Sequence, residues 1–247
     1  MSIHFYAITD IGMIRKRNED TFLIDKNLGL AIIADGMGGH ANGHIASTTA
    51  AAIVQDSLQK QASSYQDAPP PNFNKAITEA NTNLWNQSFQ SAVKRGDILA
   101  TEKNPHLRRS MGTTLTAMVL RGSLGWFGHV GDSRLYQYRG NILNQMTTDH
   151  EDGWSGALTR AVGTDPEVNV DTEVWKTQQG DLYLLCTDGF FYLDNIQISH
   201  CMKKMAVEIQ KSGDHATVIN AHLNELITNI NAIGGRDNTT LVVGYIS

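Results

Sequence analysis

Two continuous apolar runs in this 247-residue chain end on an aspartate followed at once by glycine: GLAIIADGMGG, with Asp35 before Gly36, and DLYLLCTDG, with Asp188 before Gly189. An unbroken apolar run of this length is expected to form a strand covered on both faces, so the chain must lay one layer above such strands and another below them. A carboxylate buried there costs several kcal/mol unless something pairs with it. Each Asp is therefore expected where its strand leaves the core. The glycine is expected to turn the chain sharply and bring a carbonyl oxygen close to whatever the carboxylate binds. A cation is the natural partner.

Three further aspartates share that setting. Asp20 opens DTFLID, Asp237 opens DNTTLVVGYI, and Asp132 closes the alternating run GSLGWFGHVGD. Taken singly, an Asp beside a Gly is a turn residue. If the five strand ends converge, they form an oxygen-rich site suited to Mg²⁺ or Mn²⁺, because hard cations take carboxylate, carbonyl and water ligands.

The order of elements constrains how they could converge. Strands are expected at HFYAITD, DTFLID and GLAIIAD, and helices at about 44–61 and 73–94, parted by the proline-stopped turn SSYQDAPPPN. Strands follow in series from Gly112 to Met146, after a polar, aperiodic stretch from Gly96 to Ser110 expected to be a loop. Strands near 170–176 and 181–187, helices near 196–211 and 214–231, and a strand at 238–246 complete the chain. This pattern predicts an α+β fold: an α/β/β/α sandwich of two packed antiparallel sheets flanked by helix pairs, in one domain spanning 1–247. The formal net charge of −5 argues against general nucleic-acid binding. Cys186 and Cys201 offer no disulfide framework. With neither a signal peptide nor an apolar membrane span in the sequence, a cytoplasmic monomer that does not engage membranes is expected.

The segments RKRNED, ADGMGGHANG, MGTTL, GHVGDSRLY, TTDH, LTRAVG, LLCTDGF and GGRDNTTLVV occur in the order seen in the metal-dependent protein phosphatases. From about Ala7 to Val243 the chain resembles the bacterial branch of this type 2C serine/threonine family. The resemblance implies that Asp20, Asp35, Asp188 and Asp237 bind two Mn²⁺ or Mg²⁺ ions, with Asp35 bridging them, Gly36 giving a backbone carbonyl and Glu19 acting through water. It implies that Arg15, five residues before Asp20, clamps the substrate phosphate. It also implies that Asp132, with Asp188, holds a third and weaker ion. Such a centre hydrolyses phosphoserine and phosphothreonine by attack of a metal-bridging water or hydroxide, since ions about 3.5–4 Å apart can acidify a shared water and neutralise phosphate oxygens. Neither cysteine sits in a nucleophile-like motif, which fits direct attack by water. The expected partners are phosphoproteins and a cognate serine/threonine kinase.

Other residues near these motifs have simpler roles. Lys16 and Arg17 are expected to be solvated charges. Arg134 and Arg160 are expected to pair with nearby carboxylates, and Asp149 and His150 to order the segment that follows them. His40 and His44 are expected to be caps or surface groups.

The chain departs from the family pattern in three places. His44 stands where a Glu is common, and Met37 replaces a histidine that eukaryotic relatives often carry, so no general acid for the leaving hydroxyl is evident. Between TTDH and LTRAVG only EDGWSGA (151–157) remains of a flap of a few dozen residues, so the site is expected to be more open. Trp154 in that remnant is expected to rest on the protein as an anchor. Two rivals stay open at this stage: a non-catalytic phosphoprotein-binding regulator, and a phosphatase of small phosphorylated molecules.

Overall fold

The computed structural model describes residues 1–37, 42–63, 70–94 and 111–247. The stretch expected to be a loop at 96–110 falls outside these apart from its border with Met111. So do His40 and most of the turn between the first two helices.

The described residues form eleven strands and four helices: β1 (Ile3–Asp10), β2 (Asp20–Asp25), β3 (Leu30–Met37), α1 (Asn42–Ser63), α2 (Phe73–Lys94), β4 (Gly112–Thr113), β5 (Leu115–Arg121), β6 (Leu124–Val130), β7 (Arg134–Arg139), β8 (Ile142–Gln145), β9 (Asp171–Lys176), β10 (Leu182–Cys186), α3 (Asn195–Ser212), α4 (His215–Ala232) and β11 (Thr239–Ile246). One sheet runs β1-β11-β10-β7-β8. The other runs β2-β3-β5-β6-β9, with β4 paired to the end of β3. All pairings are antiparallel.

Side-chain alternation explains why β3 and β10 are apolar throughout. Ala31 and Ile33 of β3 point between the sheets, where they meet Met118, Leu135, Leu185 and Val242. Leu30 and Ile32, one residue out of phase, face the other way and pack on Ala46, Ala50 and Val54 of α1 and Ile77 of α2. On the second sheet, Leu185 faces inward while Leu182, Leu184 and Cys186 face Met202 and Met205 of α3 and Leu223 and Ile230 of α4. Each central strand is thus covered twice, as a sandwich flanked by helix pairs requires. Local signals delimit the second helix pair. Asp194 caps α3 in a reciprocal capping box with Gln197, Gly213 ends it at φ 71°, and Asp214 caps α4.

Both cysteines are free, and burial pushes the Cys186 thiol pKa upward, which leaves it a poor nucleophile. No described helix is long and apolar enough to cross a membrane.

Candidate active site

The ends of the two sheets open on one cavity of about 1000 Å³, and seven of the eight residues expected at the site line it: Arg15, Glu19, Asp35, Gly36, Asp132, Asp188 and Asp237. The eighth, Asp20, lies behind the wall and is 6% exposed. Register explains its place, because Asp20 on β2 stands directly across from Asp35 on β3. Its Oδ2 accepts hydrogen bonds from Thr187 Oγ1 at 2.8 Å and Thr240 Oγ1 at 2.7 Å.

Asp35 is fixed from the neighbouring strand. Its N–H donates to Thr114 Oγ1 at 2.9 Å, and its carbonyl accepts from Thr113 Oγ1 at 2.8 Å and from the Thr114 N–H at 2.9 Å. Asp188 begins a single 3₁₀ turn that follows β10. Asp237 precedes β11, and Arg15 Nη2 donates to its Oδ2 at 2.5 Å.

The two Asp-Gly pairs do not work as the sequence suggested. Neither Gly36 nor Gly189 has positive φ, so no sharp turn depends on either. Close packing demands them instead. A Cβ on Gly36 would lie 2.1 Å from the carbonyl oxygen of Gly43, and one on Gly189 would lie 1.9 Å from that of Asn238. Gly43 is in the first turn of α1, and a Cβ there would meet the Glu19 carboxylate at 2.7 Å. His44 sits beside it, with its carbonyl accepting from Ser47 Oγ.

The carboxylates strain one another. Burial, then the charges of Asp20 and Asp188, raises the Asp35 pKa well above the usual carboxylate range. Burial likewise lifts Asp20 to about 7, opposed by its two threonine hydrogen bonds and assisted by Asp188 and Asp237. Burial and Asp188 lift Asp132 to about 7. Burial and Asp237 raise Asp188.

Three of these carboxylates test whether cations fit. The Oδ1 atoms of Asp20, Asp132 and Asp188 are buried and have no hydrogen-bond partner among the described residues. An orphaned buried carboxylate oxygen is expensive, and a divalent cation relieves it. Among the described residues no three acidic, imidazole or thiol side chains close round one point. The carboxylates are instead spread over the cavity wall, which suits Mg²⁺ or Mn²⁺ ions that keep several waters. All the donors are oxygen, as those ions prefer. No described histidine lines the cavity.

The profile of the family described as Protein phosphatase 2C matches residues 15–227. A serine/threonine phosphatase, Stp, from Listeria monocytogenes serotype 4b is 31% identical, over 98% of this chain and 95% of that protein. The chain belongs to the protein phosphatase 2C family. Among solved structures, PppA of Pseudomonas aeruginosa, described as a key regulatory component of T6SS, superposes on this phosphatase with a TM-score of 0.76. It is 26% identical over 99% of this chain and 98% of its own. The phosphatase PstP of Mycobacterium tuberculosis superposes with a TM-score of 0.73 at 25% identity over 100% of both chains. A PstP catalytic domain has also been solved with two manganese ions.

Sequence reasoning missed the groups that hold the phosphatase's carboxylates in place. Asn238 is the main one. Its Oδ1 accepts from the Glu19 N–H at 2.8 Å, and its Nδ2 donates to the carbonyls of Ile11 and Arg17 at 2.9 and 3.0 Å. One amide therefore ties the RKRNED loop to the start of β11. Thr187 and Thr240 do the same for Asp20. The available signal was polar residues beside Asp188 and Asp237 at the ends of strands that are otherwise apolar.

Arg134 and Arg160 pair with carboxylates as expected. Arg134 grips Asp149 through Nε and Nη2 and lies 3.6 Å from the centre of the Phe191 ring, which joins the Asp132 loop to the turn after Asp188. Arg160 donates to Asp171, whose other oxygen meets His150 Nε2 at 3.0 Å. His150 Nδ1 accepts from the Gly131 N–H, so its proton sits on Nε2, and the ring steadies the residue before Asp132.

Trp154 is a correction. The flap remnant forms a short hairpin in which Glu151 bridges Leu158 and the Asp152 N–H donates to Ala157 O. Trp154 at its tip is 100% exposed and anchors nothing. Asp152 already satisfies the turn, accepting from the Trp154 N–H and Ser155 Oγ, so the ring is not needed to close it. Gly156 and Leu158 of the same hairpin edge the cavity.

Proposed function

We propose that this metal-dependent serine/threonine protein phosphatase holds its two Mn²⁺ or Mg²⁺ ions through Asp20, Asp35, Gly36, Asp188 and Asp237, with Glu19 acting through water. The observation that carries this assignment is the set of buried carboxylate oxygens without partners at one end of the sandwich. The ions, when bound, supply Lewis acidity that lowers the pKa of water and neutralises phosphate oxygens. Asp132 and Asp188, each with a free Oδ1, are proposed to hold a third and weaker ion.

Arg15 is the proposed phosphate clamp. Its side chain is 53% exposed, and its guanidinium already reaches the cavity to meet Asp237. A fork of N–H donors matches two phosphate oxygens at once, and a phosphate dianion competes well with one carboxylate for it. Asn238 fixes the backbone behind Arg15, so the clamp is supported by the same strand that carries Asp237.

The 247 residues are proposed to act as one catalytic unit, a cytoplasmic monomer opposing a cognate serine/threonine kinase on shared phosphoproteins. A non-catalytic regulator would have no use for four carboxylates, Asp20, Asp35, Asp132 and Asp188, strained by burial and by one another. The deciding experiment is phosphate release from a phosphothreonine peptide and from small phosphorylated metabolites, before and after chelation. Peptide hydrolysis that chelation stops and Mn²⁺ restores is expected. Undiminished turnover in excess chelator, or turnover confined to the metabolites, would overturn the assignment.

A further inference from the structure

The rim of the cavity carries more positive charge than a phosphate clamp needs. Lys16 and Arg17 line it together with Arg15, and neither side chain has a hydrogen-bond or ion-pair partner among the described residues. Their backbone is nonetheless held firmly. The Arg17 carbonyl accepts from Asn238, the Met13 N–H donates to Gly235 O at 2.6 Å, and the Gly12 N–H donates to Asp10 Oδ1 at 2.8 Å. Two free cationic heads thus project from a pinned loop, which is how a recognition element differs from a mobile charged tail.

Charge bookkeeping gives them a purpose. Five carboxylates line the cavity: Glu19, Asp35, Asp132, Asp188 and Asp237. With Asp20 behind the wall they make six; two divalent ions offset four of these, and Arg15, Lys16 and Arg17 outnumber the remaining two by one, so the loaded cavity is positive although the whole chain carries −5. Arg15 is taken up by the phosphate. Lys16 and Arg17 then face whatever lies beside the phosphorylated residue. In an extended peptide, a side chain two or three residues along stands roughly 7–10 Å away, within reach of a long lysine or arginine.

We propose that Lys16 and Arg17 select phosphosites carrying a second anionic group, a carboxylate or another phosphate, within about three residues of the phosphate being removed. This rests on the metal and clamp assignment above and deepens it by naming the substrate class.

The test compares kcat/KM, with saturating Mn²⁺, for three phosphothreonine peptides identical except at neighbouring positions. One has neutral neighbours, one has glutamates, and one has a non-hydrolysable phosphonate side chain. Both anionic peptides should exceed the neutral one by about three- to tenfold, the scale of two solvent-exposed charge pairs, and the gap should narrow at about 0.5 M salt. The double variant Lys16→Ala, Arg17→Ala should bring the ratio close to one. Lys203→Glu, which changes net charge equally on the exposed face of α3, should leave it in place. Preference for the phosphonate peptide alone would identify a second phosphate as the group selected, and preference for both would identify anionic charge in general. Equal constants for all three peptides in the unmodified enzyme, or a preference that survives in the double variant, would overturn the proposal. If none of the peptides is hydrolysed, the phosphatase assignment falls with it.

Discussion

The floor of the cavity and the hairpin at its edge are built on opposite principles. At the floor, Asp20, Asp35, Asp132 and Asp188 are crowded by one another and by burial, and the fold holds them there through Thr187, Thr240 and Thr114. At the edge, residues 151–158 depend on a few local hydrogen bonds and leave Trp154 wholly in solvent. On the metal assignment proposed above, electrostatic strain at the floor is a reservoir that cation binding would discharge. The hairpin stores nothing comparable, so the same kind of substitution should have opposite consequences in the two regions.

The largest effect is expected at the floor. Asp188→Ala or Asp237→Ala should reduce turnover by more than the roughly 10–100-fold that changes behind a metal's ligands usually cost. For Asp188→Ala the metal-free protein should nevertheless melt no lower than the unmodified one, because a buried carboxylate with an unpartnered oxygen has been removed. Thermal melts in chelator, beside activity at saturating Mn²⁺, check both halves. A melt several degrees lower would show that Asp188 stabilises the fold, and the contrast with the hairpin would weaken.

A pH dependence follows in size. Burial lifts the Asp20 and Asp132 pKa values to about 7 in the metal-free chain, from an ordinary carboxylate value of 3.8. A pKa raised by folding means that the folded state keeps its proton longer. The stability contributed by that proton is intact below the ordinary value and is lost as pH climbs towards 7. Cations need the deprotonated carboxylates, so Mn²⁺ affinity should rise over the same window. Melts in chelator from pH 4 to 8 should fall with pH, while Mn²⁺ titrations should tighten and release protons. A metal-free melt that rises through this range would show that the carboxylates are relieved by something other than a cation.

How much of this could be read in the chain follows the same division. The apolar runs of β3 and β10 announced strands covered on both faces because every second residue packs on a different layer, and the prolines of SSYQDAPPPN marked the turn that parts the first two helices. The aspartates announced themselves by standing at the ends of those runs. Asn238, Thr187 and Thr240 did not, since their role depends on which distant strand ends meet, and a polar residue at a strand terminus looks the same whether or not it holds a neighbour. The glycines misled for a similar reason. Gly36 and Gly189 signal a turn in sequence, whereas the fold needs them because other backbone passes within contact distance, which local pattern cannot reveal. Trp154 misled in the other direction: a large aromatic usually finds a surface, but a hairpin this short leaves it none.

The smallest effect should come from Trp154. Its ring is 100% exposed, so Trp154→Ala removes no buried area and leaves no cavity. The backbone of the hairpin stays closed through Asp152, whose N–H donates to Ala157 O and whose carbonyl accepts from the Gly156 N–H, both at 2.8 Å. Stability should therefore change by no more than about 0.5 kcal/mol, the usual range for surface substitutions. Denaturant unfolding of the Mn²⁺-loaded enzyme, with kcat/KM measured on a phosphopeptide in parallel, separates the two ways this could fail. A loss above about 1 kcal/mol would mean that the indole packs on the protein in solution and that the edge, like the floor, is part of the load-carrying structure. Unchanged stability with a fall in kcat/KM would place the indole against bound peptide, making the hairpin a substrate contact instead of a passive remnant.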